Sequence, residues 1–174
     1  MRVIFRVDAS LQIGTGHIMR CLSLAQVLKE YGASVEFICR AHKGNLIEKV
    51  QTKGFNVYKL GKVLKKNYDS KLSHSHLLGT TQHQDASECK TILQQINPDW
   101  IVVDHYGIDE DWQKELQNYY NKLMVIDDLA DRSFDCDILL NQNLGAQIKD
   151  YKDKVAGLQA YPKLKYGSGL LFPY

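Results

Sequence analysis

Apolar positions along this chain alternate between two periods. Residues 2 to 8 carry Val3, Ile4, Phe5 and Val7, a run of β-forming side chains that predicts a strand. Ile18, Cys21, Leu22, Leu24, Ala25 and Leu28 then recur at helical spacing until Gly32 stops the helix. The same alternation predicts a strand over residues 33–40, a short helix over 44–53 with Leu46, Ile47 and Val50 inward, and a strand over 55–60. Residues 60–81 are poorly patterned. A helix follows over 83–96, with Ala86, Cys89, Ile92, Leu93 and Ile96 on one face, closed by Asn97-Pro98-Asp99. Trp100 to Asp104 is nearly continuous in apolar character, as a central strand covered on both faces requires. Residues 109–121 read as a helix opened by acidic side chains, and 122–127 and 137–141 as further strands.

Strands that alternate with helices in this way predict an α/β, Rossmann-like, mostly parallel sheet with helices on both faces, because parallel strands need right-handed crossovers. A chain of 174 residues with 44% hydrophobic content buries one sizeable core, so residues 1–174 are expected to form a single domain.

Ligands of such sheets bind at the carboxyl ends of the strands. Three polar clusters follow predicted strands: Asp8 to His17, Asp104 to Tyr106, and Asp127 to Asp131. They are expected to gather on one edge. In the first, Gly14 and Gly16 permit close backbone approach, and the free N–H groups of the following helix face an anion beside His17. The turn is not a full dinucleotide fingerprint, since Met19 stands at the third glycine position and no Walker lysine follows, which argues against a nicotinamide cofactor. From the turn alone, His17 reads equally as a catalytic imidazole or as a helix-capping residue. Asp104 and Tyr106 read as site residues or as a turn cap and a packed aromatic. Asp127 and Asp128 read as paired carboxylates for acid/base work or as turn caps.

Charge and cysteine usage narrow the classes. A net charge of +2 is too small to imply nucleic acid or an anionic membrane, and the basic stretch 59–71, with Lys62, Lys65 and Lys66, reads as a solvated loop. No apolar run approaches the roughly 20 residues that span a bilayer. Cys21, Cys39, Cys89 and Cys136 lack the close pairing of zinc sites, and no apolar signal segment precedes the first strand, so a reduced cytoplasmic setting is expected. Cys21 and Cys39 fall on apolar faces as small buried hydrophobes. His74 and His76 have no third ligand at suitable spacing and read as loop residues, so no metal is expected.

Four ordered blocks carry a resemblance: Phe5 to Ser10 running through Ile13-Gly14-Thr15-Gly16-His17 to Arg20-Cys21-Leu22; Asp104-His105-Tyr106-Gly107-Ile108; Val125 to Arg132; and Cys136 to Asn143. Together they resemble the amino-terminal domain of the bacterial UDP-2,4-diacetamido-2,4,6-trideoxy-β-L-altropyranose hydrolases of pseudaminic acid biosynthesis. That family in turn resembles GT-B glycosyltransferases such as the murein N-acetylglucosaminyltransferase. The resemblance implies attack of water at C1 of the UDP-activated diacetamido sugar, C1–O cleavage with inversion, and no metal or cofactor. It implies His17 as the general base, a role that suits an imidazole, and Tyr106 beside the sugar or the attacking water. Asp8, Gly14, Thr15, Gly16, Arg20, Asp104, His105, Asp127 and Asp128 are the implied substrate-binding positions. For Arg20, a contact to the diphosphate and an ion pair with Asp8 or Asp127 are both open.

The family continues into a second Rossmann-like domain. Residues 145–174 are therefore expected to be irregular or the start of an interdomain region, with the second domain absent. The chain alone is then expected to hydrolyse the nucleotide sugar poorly or not at all unless another polypeptide supplies that half. A GT-B sugar transferase relative and a non-catalytic truncated remnant are the alternative readings.

Overall fold

A computed structural model describes residues 1–63, 71–155, 158–160 and 170–173. Lys65 and Lys66 of the basic stretch lie outside these residues. Strands β1 (Arg2–Val7), β2 (Ser34–Arg40), β3 (Asn56–Leu60), β4 (Trp100–Asp104), β5 (Lys122–Ile126) and β6 (Ile138–Leu140) pair in parallel. Two further strands, β7 (Leu158–Ala160) and β8 (Leu170–Pro173), extend the sheet antiparallel beyond β6. The order is β3-β2-β1-β4-β5-β6-β8-β7, so the chain reverses direction across the sheet between β1 and β4. In open α/β sheets that reversal leaves a crevice at the strands' carboxyl ends.

The period of two along β1 sorts its side chains between two cores. Val3, Phe5 and Val7 pack with Phe37 and Cys39 against Ile18, Cys21, Leu22 and Ala25 of helix α1 (Gly16–Glu30) and Ile47 and Val50 of α2 (Ile47–Thr52). Ile4 faces the other way, toward Ala86, Cys89 and Leu93 of α3 (Gln82–Ile96) and Trp112 and Leu116 of α4 (Glu110–Leu116). Each core thus takes one sheet face. All four cysteines are free and buried. No helix among the described residues is long and apolar enough to cross a membrane.

Two expectations need correction. The helix expected to reach residue 121 ends at Leu116, its last fully buried position, and tightens into a 3-10 turn over Gln117–Tyr119 that delivers the chain to β5. The segment of His74 and His76, expected to be loop, holds a 3-10 turn at Ser75–Leu78, with Leu78 packed into the α3/α4 core. Residues 145–174 contribute a 3-10 turn at Ile148–Tyr151, core residues Tyr151 and Val155, and strands β7 and β8.

Candidate functional site

The glycine turn is built by Ser10. Its Oγ accepts the N–H groups of Gln12 (3.1 Å) and Ile13 (2.9 Å), and its carbonyl accepts that of Gly14 (2.9 Å). Gly14 turns the chain at φ +81°, a left-handed conformation that a side chain would strain. Thr15 stands at the N-cap of α1 without a side-chain cap bond, and the first helical bond runs from the Met19 N–H to the Thr15 carbonyl (3.0 Å). The N–H groups of Gly16, His17 and Ile18 are therefore left without intrahelical acceptors. A Cβ at Gly16 would meet nothing within 4 Å, so the approach to these donors is open. Beside the turn, Ser10, Leu11, Gln12, His42, Lys43 and Val63 line a hollow of about 320 Å³.

His17 does not cap the helix. At the second position of α1, its Nδ1 lies 2.5 Å from Asp104 Oδ1. The same carboxylate binds Arg20 twice, Nε to Oδ2 at 2.5 Å and Nη2 to Oδ1 at 2.6 Å, and receives the Cys21 thiol at 3.5 Å. Burial alone would raise the pKa of Asp104, but the hydrogen bonds from Arg20 and His17 outweigh it and hold the carboxyl below its usual range. An ionised Asp104 is acceptor-only. A proton on His17 Nδ1 meets it, and in the neutral ring that tautomer makes Nε2 the lone-pair nitrogen.

Tyr106 completes this layer. Its ring meets that of His17 edge-on at 4.5 Å, and its hydroxyl donates to Asp128 Oδ1 at 2.5 Å. Burial and the Asp128 carboxylate push the phenol well above its ordinary value, so it remains a donor. The second oxygen of Asp128 receives Arg20 Nη1 at 3.2 Å. Burial opposes the charge on Arg20, yet the two carboxylates hold it firmly protonated. The three polar clusters thus meet on one edge, at the β1/β4 crevice.

Strand parity decides which motif residues reach this layer. On β4, Val102 faces α1 and Val103 faces α3. Asp104 accordingly meets α1, whereas His105 turns to the opposite side, 3.3 Å from Asp8 Oδ2. Burial holds the His105 imidazole below its ordinary value, and its Nδ1 accepts the Gly107 N–H at 3.0 Å. Asp8, fully buried, joins Arg6 (2.7 Å and 3.0 Å) and the Arg40 backbone N–H (2.7 Å). Asp85 of α3 closes this second layer, taking Arg6 at 3.0 Å and 2.7 Å, Arg40 at 3.0 Å and the Trp112 indole N–H at 3.0 Å.

Parity also separates Asp127 from Asp128. Asp127, fully buried, caps its own turn through the Leu129 (3.2 Å) and Ala130 (2.8 Å) N–H groups, accepts the Tyr151 hydroxyl (3.0 Å) and pairs with Arg132 (2.8 Å). The two carboxylates are not an acid/base pair. Arg132 ties this turn to the β4 exit by donating to the carbonyls of Ile108 (2.8 Å) and His105 (3.3 Å).

Several assignments therefore change. Arg20 pairs with Asp104 and Asp128, not with Asp8 or Asp127, whose charges Arg6 and Arg132 satisfy. Asp8, Asp104, His105 and Asp127 lie beneath the surface with every one at 3% exposure or less, where they position neighbouring groups. Gly14, Thr15, Gly16, Tyr106 and Asp128 remain at the mouth, with His17, 5% exposed, beside them. The polar residues Arg6, Arg40 and Asp85 were not anticipated, although Arg6 inside an apolar strand and Asp85 one turn before Cys89 on an apolar helix face are readable signs of a buried ion pair. The rings of His74 and His76 stand 6.4 Å apart, and among the described residues no group of three His, Cys, Asp or Glu has the grouping to hold a metal.

No protein-family model matches the chain. It is 31% identical over 156 residues to the UDP-2,4-diacetamido-2,4,6-trideoxy-β-L-altropyranose hydrolase of Campylobacter jejuni, a match that covers 89% of this chain and 46% of that protein. It is 25% identical over 153 residues to an uncharacterized protein of Methanocaldococcus jannaschii, covering 87% of this chain and 27% of that one. The chain thus spans less than half the length of these curated relatives. Among solved structures, MurG of Acinetobacter baumannii superposes with a TM-score of 0.52 at 9% identity, over 72% of this chain and 34% of MurG. The fold is therefore of the Rossmann-like type found in the amino-terminal half of GT-B proteins.

Proposed function

We propose that this chain forms the base-bearing half of a nucleotide-sugar hydrolase that cleaves the C1–O bond of UDP-2,4-diacetamido-2,4,6-trideoxy-β-L-altropyranose, with inversion. The observation that carries this reading is the pairing of His17 Nδ1 with buried Asp104 beside the glycine turn, which in the neutral ring leaves Nε2 free to accept a proton. Water held at Nε2 loses a proton to the imidazole as its oxygen bonds to C1. The C1–O bond breaks on the opposite face and its electron pair leaves with UDP. Asp104 balances the imidazolium as it forms, the service a carboxylate performs for a catalytic histidine. Tyr106 walls the sugar side, and the amides of Gly16 to Ile18 offer donors to substrate oxygens. The 31% identity to the Campylobacter jejuni hydrolase supports the same substrate. Further nucleotide contacts come from a second Rossmann-like domain, in the same polypeptide or in trans. Four free, buried cysteines suit a reducing, cytoplasmic setting.

Hydrolysis in ¹⁸O-water, by the chain together with such a domain, tests the reaction. The label is expected in the free sugar with unlabelled UDP. Label in UDP would place the cleavage at phosphorus, and UDP release only when a sugar acceptor is added would identify a transferase.

A further inference from the structure

Gly107 lets the segment around His74 close directly onto the exit of β4. A Cβ at Gly107 would meet the His74 carbonyl at 3.1 Å, Leu78 Cβ at 3.2 Å and His105 Cε1 at 3.2 Å. The 3-10 turn Ser75–Leu78, anchored by buried Leu78, fixes this approach. His74 is thereby held with its ring 5.7 Å from that of Tyr106, which also contacts His17 at 4.5 Å. Tyr106 is flanked by two imidazoles. The one from His17 is committed to Asp104, whereas neither ring nitrogen of His74 has a hydrogen-bond partner among the described residues, and the side chain is half-buried at the surface.

We infer that His74 is a ligand contact that hydrogen-bonds a hydroxyl or acetamido group of the bound sugar. The assignment rests on the nucleotide-sugar reading above and adds a specificity-determining residue to it. A neutral, polyfunctional group fits better than a phosphate here, because the neighbouring cations are already neutralised: Arg20 by Asp104 and Asp128, and Arg132 by Asp127 and Asp131. What remains open to a ligand is an aromatic ring with a hydrogen-bonding imidazole beside it, a surface suited to a sugar's apolar face and its polar substituents.

Histidine ring signals of the 174-residue chain, assigned with His17→Ala and His74→Ala, report both imidazoles in one titration. Free 2,4-diacetamido-2,4,6-trideoxy-L-altrose is expected to move the signals of His17 and His74 together, whereas UDP alone leaves His74 in place. His74→Ala should weaken sugar binding about threefold to tenfold, the loss of one hydrogen bond, with UDP affinity unchanged. His74→Gln, which keeps a donor and an acceptor, should recover part of that loss. A His17 signal that moves while that of His74 stays still, or an equal weakening of UDP and sugar in His74→Ala, would overturn the assignment. Silence of both imidazoles toward sugar and UDP would instead sink the nucleotide-sugar reading and this contact with it.

Discussion

Asp104→Asn tests the site at the carboxylate on which it converges. The native carboxylate takes two hydrogen bonds from Arg20 and one from His17, and is fully buried. An amide of the same shape offers one oxygen and one NH₂ group. With the NH₂ toward Oδ2's place, it opposes Arg20 Nε; with the NH₂ toward Oδ1's place, it opposes Arg20 Nη2 and faces His17 Nδ1, favouring the tautomer with its proton on Nε2. Either way, at least one charge-assisted hydrogen bond is lost. Such bonds contribute about 1.5–3 kcal/mol. Arg20 keeps Asp128 at 3.2 Å and is not stranded, so the stability loss should be near 2 kcal/mol, below the roughly 3–5 kcal/mol of a broken buried pair. For a chain of this size that lowers Tm by about 4–8 °C. Turnover should fall by about 10²–10⁴, the usual contribution of a general base, because the imidazolium loses its counter-charge or Nε2 its lone pair. Thermal unfolding, UDP release in the catalytically competent protein and the side-chain ¹⁵N spectrum of His17 measure the three quantities. Turnover within about threefold of the unsubstituted protein, with His17 in the same tautomer, would refute the reasoning.

Two further expectations concern the second, deeper layer. Asp85→Ala takes a shared carboxylate from Arg6, Arg40 and the Trp112 indole, while Arg6 keeps Asp8 and Arg40 keeps Glu88, and should cost about 2–4 kcal/mol in urea unfolding; a loss under about 1 kcal/mol would show the network to be energetically idle. Acid should unfold the chain in two stages. His105 is held below the ordinary imidazole value of 6.5 by burial, so it favours the fold above that pH and ceases to do so as pH falls through its lower folded value. Asp8, Asp85 and Asp104 are held below 3.8, so their contribution persists to that pH and is lost only as pH falls further through their folded values. Circular dichroism melts from pH 7 to pH 3 should decline monotonically; a Tm that rises toward pH 4 would contradict these directions.

Much of this was legible in the chain because the apolar periods were clean. Val3, Phe5 and Val7 against Ile4 and Arg6 mark a strand covered on both faces, and Ile18 to Leu28 mark the helix that lies on one of them. The meeting of Gly14 to Arg20 with Asp104 to Tyr106 followed from topology, since both lie after adjacent parallel strands. Pairing within the cluster did not follow from topology alone. Arg20 reaches Asp104 and Asp128, and misses Asp8 and Asp127, because neighbouring residues at a strand exit face opposite layers, and which layer holds α1 is a tertiary property. The order of Tyr151 beside Asp127 also depends on a segment with no clear period. His74 was hidden for a different reason. Its polar surroundings look like any loop, and its place beside Tyr106 comes from the missing Cβ of a glycine more than thirty residues away.

The most direct test of the central claim, that His17 takes the proton of the attacking water, is single-turnover UDP release by His17→Ala in the catalytically competent protein, with UDP-sugar binding measured alongside. The account predicts a fall in rate of about 10²–10⁴ with binding retained and the fold intact. UDP release at the unsubstituted rate, with the nucleotide sugar still bound at the glycine turn, would contradict it.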